Sequence, residues 1–538
     1  MSAQGTTGKH WHLLALVLGL GLWARTWWGL SESVWIEELH SIRFLDADTF
    51  QTFLRQMLLD NGTPPSPAYF FLEYHVARLF GTSPLGLRLL SLVFGLSVLP
   101  ATYLLTFRVS DARTGLLATF LAAASMPLIF FSQEIRMYAP MPLLATLSLY
   151  TLIDFVERPR PLIGLGHCLI NALLIWTHIF GWLFVLPEGI YLLFAQRRAK
   201  ALLLSWFAAH AAMGLIFAAW LSTADISSTM RIVPYFTPFR LQDLAVLALV
   251  LGGGRFSNES PARHLPLGVS FDWLLALTLF VVVGWHCLRT FLHRGSSTEE
   301  KSSTYLLLLL LCVCIPPAVL TAVTIWFHTT FQCRYLLYCI VPFCILAAAA
   351  LTHIPRSSVR RLICSCVVCL SLYQLSAVAV GPLRPDWRGT GNYLSGRLGA
   401  NDLLVIGERH AALALAYNSR IPLRNMTVVD AWPAIGPLVL AACARGDTAW
   451  VVLLMHSSPE RVETSFLKNG LEYTFRDFAG WPNIRVYAVH MRGRKPDVQD
   501  LKRRSVLMQS PCKSHVRARL GFPSKGLGTE VDSLGLES

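Results

Sequence analysis

Leu-rich apolar runs of roughly 17–22 residues, each long enough to cross a bilayer, recur from the N-terminus to about residue 380. A chain in lipid must satisfy its backbone internally, which leaves helices or closed barrels. Uninterrupted apolar runs of this length are helical. The first 380 residues or so therefore read as a polytopic α-helical membrane domain. Charged residues make up only 14 % of the chain and hydrophobic ones 54 %, against about 25 % charged in soluble proteins. A soluble enzyme is excluded. The formal charge of +14 carries no nucleic-acid signal, because Lys and Arg cluster in short gaps between apolar runs, where they set orientation. Membrane lipids are the expected surroundings, and no nucleic-acid partner is expected.

Eleven spans are drawn at about 11–29, 84–107, 114–131, 139–156, 162–177, 180–195, 201–221, 271–291, 305–326, 335–353 and 362–380. The run after Lys9 and His10 has no small-x-small cleavage pattern before Arg25, so it reads as a retained span. With Lys9 inside, the inner gaps carry Arg108 and Arg113, Arg158 and Arg160, Arg197, Arg198 and Lys200, Arg294 and Lys301, and Arg356, Arg360 and Arg361. The short outer gaps hold only Arg136 and Arg334. This alternation fits a bacterial inner membrane, and an endoplasmic reticulum membrane would give the same pattern. Outer loops then span 30–83, 132–138 and 222–270, the last holding an apolar stretch at 241–254 that is too short to cross. Of twelve Cys, ten lie in or beside apolar segments. Cys364-x-Cys366-x-x-Cys369 has no His or acid beside it and reads as packing, and no disulfide framework is implied.

An odd span count puts the rest of the chain outside. Apolar strands at 403–406 and 449–455, shorter ones at 473–475 and 485–489, and helices at 409–417, 431–444 and 459–469 suggest a small α/β domain over 382–491. It has no Gly-x-Gly-x-x-Gly turn, so no nucleotide is assigned. Residues 492–538 are basic and aperiodic and read as a disordered tail. The domains are thus 1–381, 382–491 and 492–538.

Asp and Glu total 32 in 538 residues, so polar groups at span ends need a reason. On the outer side these are Glu37, Glu38 and His40, then Ser132-Gln133-Glu134-Ile135-Arg136-Met137-Tyr138, then Thr177-His178, then Arg334-Tyr335, with Arg88 opening the second span. Carboxylate, Arg, His and Tyr together suit chemistry at a phosphate. Each also has a plainer reading. Glu37 and Glu38 fit the acidic first turn of a surface helix. Arg88, Arg136 and Arg334 fit snorkelling anchors. His178 fits a structural histidine, and Tyr138 and Tyr335 fit interface aromatics. Adjacent helical residues point about 100° apart, so at most one of the two glutamates faces a given site.

The order of these pieces resembles one superfamily. An acidic pair follows the first span. Phe80-Gly81-Thr82-Ser83, Leu87-Arg88-Leu89-Leu90-Ser91, Ser132-Gln133-Glu134-Ile135-Arg136-Met137-Tyr138-Ala139, Thr177-His178-Ile179-Phe180-Gly181 and Arg334-Tyr335 come after it. The chain is similar to the GT-C type, protein O-mannosyltransferase-like membrane glycosyltransferases, in particular their bacterial family 39-like branch, with lipid A aminoarabinose transferase a distant cousin. Asp386-Trp387-Arg388, opening the small C-terminal domain, also resembles that branch. The resemblance implies transfer of a sugar, mannose-like or another hexose, from a polyprenyl-phosphate carrier to a lipid, glycan or protein acceptor on the outer face. It puts the catalytic carboxylates at Glu37 and Glu38. Arg136, Arg334, Tyr138 and Tyr335 are candidates for the donor phosphate, and His40, Glu134, His178 and Arg88 for support. Some relatives bind a divalent metal near this site; no ligand cluster here predicts one, and no cofactor is expected. The chain departs from the family twice, with Glu37-Glu38 for Asp-Glu and Thr63-Pro64-Pro65 for His-Pro-Pro. A lipid-linked sugar flippase, or a non-catalytic relative in envelope glycan assembly, is the alternative.

Overall fold

The computed structural model describes residues 4–492 apart from positions 28, 30, 46, 60–65, 196–198, 223–238, 255–266, 293–296, 328–330, 381, 430–434, 455–458 and 481–482. Thr63-Pro64-Pro65, most of the 222–270 loop, the start of the helix expected at 431 and the tail from 493 lie outside the described residues.

The chain enters as α1 (Gln4–Thr26), and the first long loop folds into α2 (Ile36–Ile42), α3 (Phe50–Leu59) and α4 (Ala68–Phe80). The bundle continues with α5 (Pro84–Val109), α6 (Ala112–Ala124), α7 (Met126–Phe131), α8 (Pro140–Glu157), α9 (Pro161–Thr177), α10 (Gly181–Ala195) and α11 (Lys200–Leu221). It ends with α12 (Leu241–Leu251), α13 (Gly268–Leu292), α14 (Ser297–Phe327), a 3-10 segment Cys333–Cys339, α15 (Ile340–Thr352) and α16 (Ser357–Leu375). Among the described residues, six stretches are long and apolar enough to cross a membrane: Pro84–Val109, Lys200–Leu221, Val269–Leu292, Thr304–Phe327, Cys333–Thr352 and Ser357–Val380. Each coincides with an expected span. The molecule is a multi-pass helical membrane protein. Helices α6, α9, α10 and α12 are apolar but shorter.

The span drawn at 114–131 is two helices. It breaks at Ser125, whose backbone is extended, and α7 restarts with Pro127 in its first turn. Proline lacks an N–H and disfavours helix in the residue before it. The Met126 N–H, left without a helical partner at the break, donates to the Gly253 carbonyl at 2.9 Å. Gly253 sits at φ 85°, a conformation glycine adopts without strain. The end of α12 therefore stitches the break. Buried Arg25 closes the neighbouring end of α6 by donating to the carbonyls of Ala122 and Ala123. It also satisfies Gly21.

Beyond the bundle, α17 (Trp387–Ser395), β1 (Leu403–Ile406), α18 (Arg409–Asn418), β2 (Thr427–Val428), α19 (Ile435–Arg445), β3 (Ala449–Leu454), α20 (Pro459–Lys468), β4 (Leu471–Phe478) and β5 (Ile484–Met491) form a small α/β unit. The sheet order is β2-β1-β3-β5-β4. Strands β2, β1 and β3 run parallel, and β5 pairs antiparallel with both β3 and β4. Central β3 is buried along nearly its whole length, as expected of a strand covered on both faces. Two-residue β2 is too short to carry a sequence pattern.

This unit is pinned to the first loop. Asn418 Nδ2 donates to the Val34 carbonyl at 2.6 Å, and Val34 N–H donates back to Asn418 Oδ1 at 3.0 Å. Leu39 of α2 packs against the sheet core. A buried Arg384–Glu32 ion pair at 2.6 Å joins the linker to the same loop.

Candidate active site

The two glutamates of α2 have different partners. Glu38 is fully buried and takes both arms of Arg88, Nε at 2.9 Å and a terminal nitrogen at 2.6 Å. It also accepts the N–H of Ile135 at 3.2 Å and that of Trp35 at 3.3 Å. The remaining Arg88 donors go to the carbonyls of Gly29, Glu32 and Ser33. One carboxylate thus ties together the first loop, α5 and the 132–138 loop. Burial opposes ionisation of Glu38, but Arg88 and then Arg384 outweigh it and hold its carboxyl below the ordinary range.

Glu37 points the other way, and 22 % of its side chain stays exposed. Its Oε1 meets Arg334 at 3.0 Å and its Oε2 meets Arg136 at 3.4 Å. Burial again opposes ionisation, yet Arg334 and Arg136 prevail and set its pKa at about 2. Residues separated by 297 positions are brought face to face here. Arg334 projects from the 3-10 segment and Arg136 from the turns after α7.

An aromatic wall backs the pair. Arg334 and Arg136 lie 5.4 and 5.8 Å from the Tyr138 ring centroid, and Arg334 lies 5.9 Å from Tyr335. The tyrosines meet the guanidiniums with their rings. His178 lies between them with its ring tilted to both, 5.9 Å from Tyr138 and 5.2 Å from Tyr335. Its Nδ1 accepts the Phe180 N–H at 3.2 Å, which leaves the proton on Nε2. Burial, then the charges of Arg136 and Arg334, lower its pKa to about 3, so it is neutral. His40 is neutral as well, lowered to about 4 by burial and then by Arg43.

Glu134 is buried two residues from Arg136, and neither of its oxygens has a hydrogen-bond partner among the described residues. Burial lifts its pKa to about 7, against the pull of Arg384. Glu73 of α4, which sequence reading passed over, is buried beside Tyr69 and lifted to about 8, again by burial. A Glu in an amphipathic loop helix gives no pattern that marks it as buried. Glu32 and Arg384 were missed for a different reason: 352 positions separate them.

The 132–138 turns are held against α5 at Gly95. A Cβ there would overlap the Ser132 side chain and lie 3.1 Å from its Cα. Gly95→Ala is therefore expected to push this loop off α5, with a loss of about 1–3 kcal/mol. A thermal melt together with a donor-binding titration checks it; wild-type values for both would show that the contact has slack.

No group of three or more His, Cys, Asp or Glu with metal-holding geometry occurs among the described residues. A charged carboxylate between two guanidiniums, an open edge, and neutral histidine and tyrosine walls suit binding of an anion next to a proton acceptor.

No family model matches the chain, and no curated protein sequence matches it. Solved structures do. The Archaeoglobus fulgidus oligosaccharyltransferase tethered to an acceptor peptide aligns over 88 % of this chain and 74 % of its own, at 12 % identity and a TM-score of 0.51. ArnT from Cupriavidus metallidurans bound to undecaprenyl phosphate aligns over 92 % of this chain and all of its own, at 11 % identity and a TM-score of 0.45. The likeness to the oligosaccharyltransferase is one of fold, and the chain has a GT-C-type architecture.

Proposed function

We propose that the chain moves a hexose, mannose-like in type, from a polyprenyl-phosphate carrier to an acceptor hydroxyl at the outer face of a bacterial plasma membrane. The observation that carries this reading is Glu37 held between Arg136 and Arg334 at one end of an apolar bundle. A fold shared with a sugar-transferring membrane enzyme agrees with it by analogy.

The acceptor oxygen forms a bond to the anomeric carbon while its proton passes to Glu37. The bond from that carbon to the phosphate oxygen breaks on the opposite face, inverting the centre through an oxocarbenium-like state. The electron pair leaves with the polyprenyl phosphate, and Arg136 and Arg334 take up the growing charge. A carboxylate with a pKa of about 2 is a poor base. Donor binding remedies this: a phosphate on the two arginines displaces Glu37 from them, and its pKa rises towards the ordinary value. The ion pair is the resting state, and the donor arms the base. Glu38 and Arg88 then act as positioning residues, His178 and His40 as neutral walls, and Tyr138 and Tyr335 as faces that orient the guanidiniums. Glu134, uncharged for part of the time near neutrality, limits the local negative charge. No cofactor is assigned. The C-terminal domain lies on the outer side and holds the first loop.

Membranes supplied with radiolabelled polyprenyl-phosphate sugars, with label followed into lipid, glycan and protein fractions, test the reading. No transfer from any donor, with label crossing the bilayer instead, would sink it.

Arg334→Gln removes the strongest partner of Glu37. Its pKa is then expected to rise from about 2, so more of it is protonated at a given acidic pH. The acidic limb of kcat/KM should move to higher pH. Loss of a charge-assisted contact to phosphate should lower kcat/KM by about 10- to 100-fold. A pH profile of the variant that overlays the wild type after scaling would count against the coupling.

A further inference from the structure

Four helices share a buried polar cluster away from Glu37. It comprises Ser148 of α8, His167 and Asn171 of α9, Glu188 of α10, and Trp206 and His210 of α11, all buried. Ionisable groups inside an apolar bundle are costly unless paired or neutral. The hydrogen bonds here can be counted proton by proton.

Ser148 Oγ lies 2.5 Å from Asn171 Oδ1 and 2.5 Å from Glu188 Oε1. A serine hydroxyl has one hydrogen. Asn171 Oδ1 has none to give, so the Ser148 proton goes there. The Glu188 contact then needs a proton from Glu188 itself. Asn171 Nδ2 has two hydrogens and three acceptors in reach, Glu188 Oε2 at 2.8 Å, His210 Nε2 at 3.0 Å and His167 Nε2 at 3.3 Å, and the two nearer ones take them. His210 Nδ1 donates to the Trp206 carbonyl at 2.8 Å, so that ring is neutral. Trp206 Nε1 donates to His167 Nε2 at 3.0 Å. Thr151 spends its own hydrogen on the Leu147 carbonyl, so His167 Nδ1 donates to Thr151 Oγ1 at 3.3 Å, and His167 is neutral too. Its bare Nε2 stands 3.6 Å from Glu188 Oε2. A carboxylate anion there would face a lone pair, not a cation. Among the described residues, Cys168 and Cys312 also lie within electrostatic reach of Glu188, and neither supplies positive charge.

Reversing the Asn171 amide leaves the same demand. Its oxygen would then face Glu188 Oε2 at 2.8 Å, which again needs a proton on Glu188, and would face His210 Nε2, which would then have to be charged.

We infer that Glu188 is a proton-binding site inside the membrane domain, occupied at neutral pH, and that the proton closes a neutral hydrogen-bond lock across α8, α9, α10 and α11. The lock has a positional consequence. Tyr138 lies just before α8, and His178 lies between α9 and α10. That consequence rests on the proposed catalytic reading; the proton itself does not.

Infrared spectra of the purified full-length chain in lipid nanodiscs, wild type against Glu188→Gln, read the protonation state directly. At neutral pH the difference spectrum should show loss of one protonated-carboxyl carbonyl band and no loss of carboxylate bands. Loss of a carboxylate pair instead overturns the inference. A glutamine reproduces the protonated acid, its amide donating to Ser148 and its oxygen accepting from Asn171. Glu188→Gln should therefore melt close to wild type, whereas Glu188→Ala should fall by about 5 °C or more. A Glu188→Gln protein that fails to fold, or melts as low as the alanine variant, also overturns it. Neither readout depends on transferase activity, so failure of the catalytic reading would leave both standing.

Discussion

Glu37→Gln is expected to lower sugar transfer by about 100- to 10,000-fold, the usual contribution of a positioned general base. The substitution keeps the size of the side chain and one acceptor oxygen. It removes the charge that Arg334 and Arg136 neutralise at 3.0 and 3.4 Å. Donor binding should survive or tighten, because the two guanidiniums are left with no carboxylate to compete with the phosphate. The expected signature is a fall in kcat with KM for the donor unchanged or lower, read from initial rates at saturating acceptor. Transfer that persists at the wild-type rate in Glu37→Gln would remove Glu37 as the base. Glu37→Asp is the informative companion. It restores the residue type of the family that the chain resembles but withdraws the carboxylate by one methylene from both arginines. A misplacement of this size costs up to about 100-fold. Aspartate should therefore fall between wild type and glutamine, which separates the need for a charge from the need for its reach.

Residues Glu37, Arg136, Tyr138, His178, Arg334 and Tyr335 come from four stretches of the chain and form one cluster. They are legible in sequence because charge is scarce in an apolar chain, so a carboxylate or guanidinium at a span end stands out. The division of labour between Glu37 and Glu38 is not legible. It depends on which side of a seven-residue helix faces Arg88, and that follows from packing of the loop on α5. The break in the 114–131 span was readable, since Pro127 marks a first helical turn, but the continuous apolar run concealed it. Glu188, His167 and His210 sit singly within apolar runs, and the partners that neutralise them arrive from other helices. Sequence spacing holds no record of that meeting. The C-terminal strands and helices follow their apolar patterns closely, whereas the Asn418–Val34 clasp, 384 positions apart, is purely tertiary.

Arg88→Met is expected to destabilise the protein by about 3–5 kcal/mol, the effect of leaving a buried charge without its partner. Both residues of the pair are fully buried, and Glu38 lies 2.6 Å from the arginine. Methionine fills much of the same volume, so the loss is electrostatic more than steric. Three backbone carbonyls, at Gly29, Glu32 and Ser33, lose their donors in the same step, and an unmet buried acceptor adds its own penalty. Pairing Arg88→Met with Glu38→Leu should recover much of the stability, because a neutral apolar pair no longer strands a charge. A double-mutant cycle by thermal or denaturant unfolding in detergent measures the coupling. Single and double variants that unfold alike would show that the lost carbonyl contacts, not the stranded carboxylate, set the cost. Activity should behave differently from stability. The double variant regains its fold, but it has no carboxylate to receive the Ile135 and Trp35 N–H groups. The α2 helix is then no longer tied to the loop that carries Arg136. Transfer should stay low in a protein that melts almost normally, which would place Glu38 and Arg88 in the positioning of Glu37 and not in the chemistry.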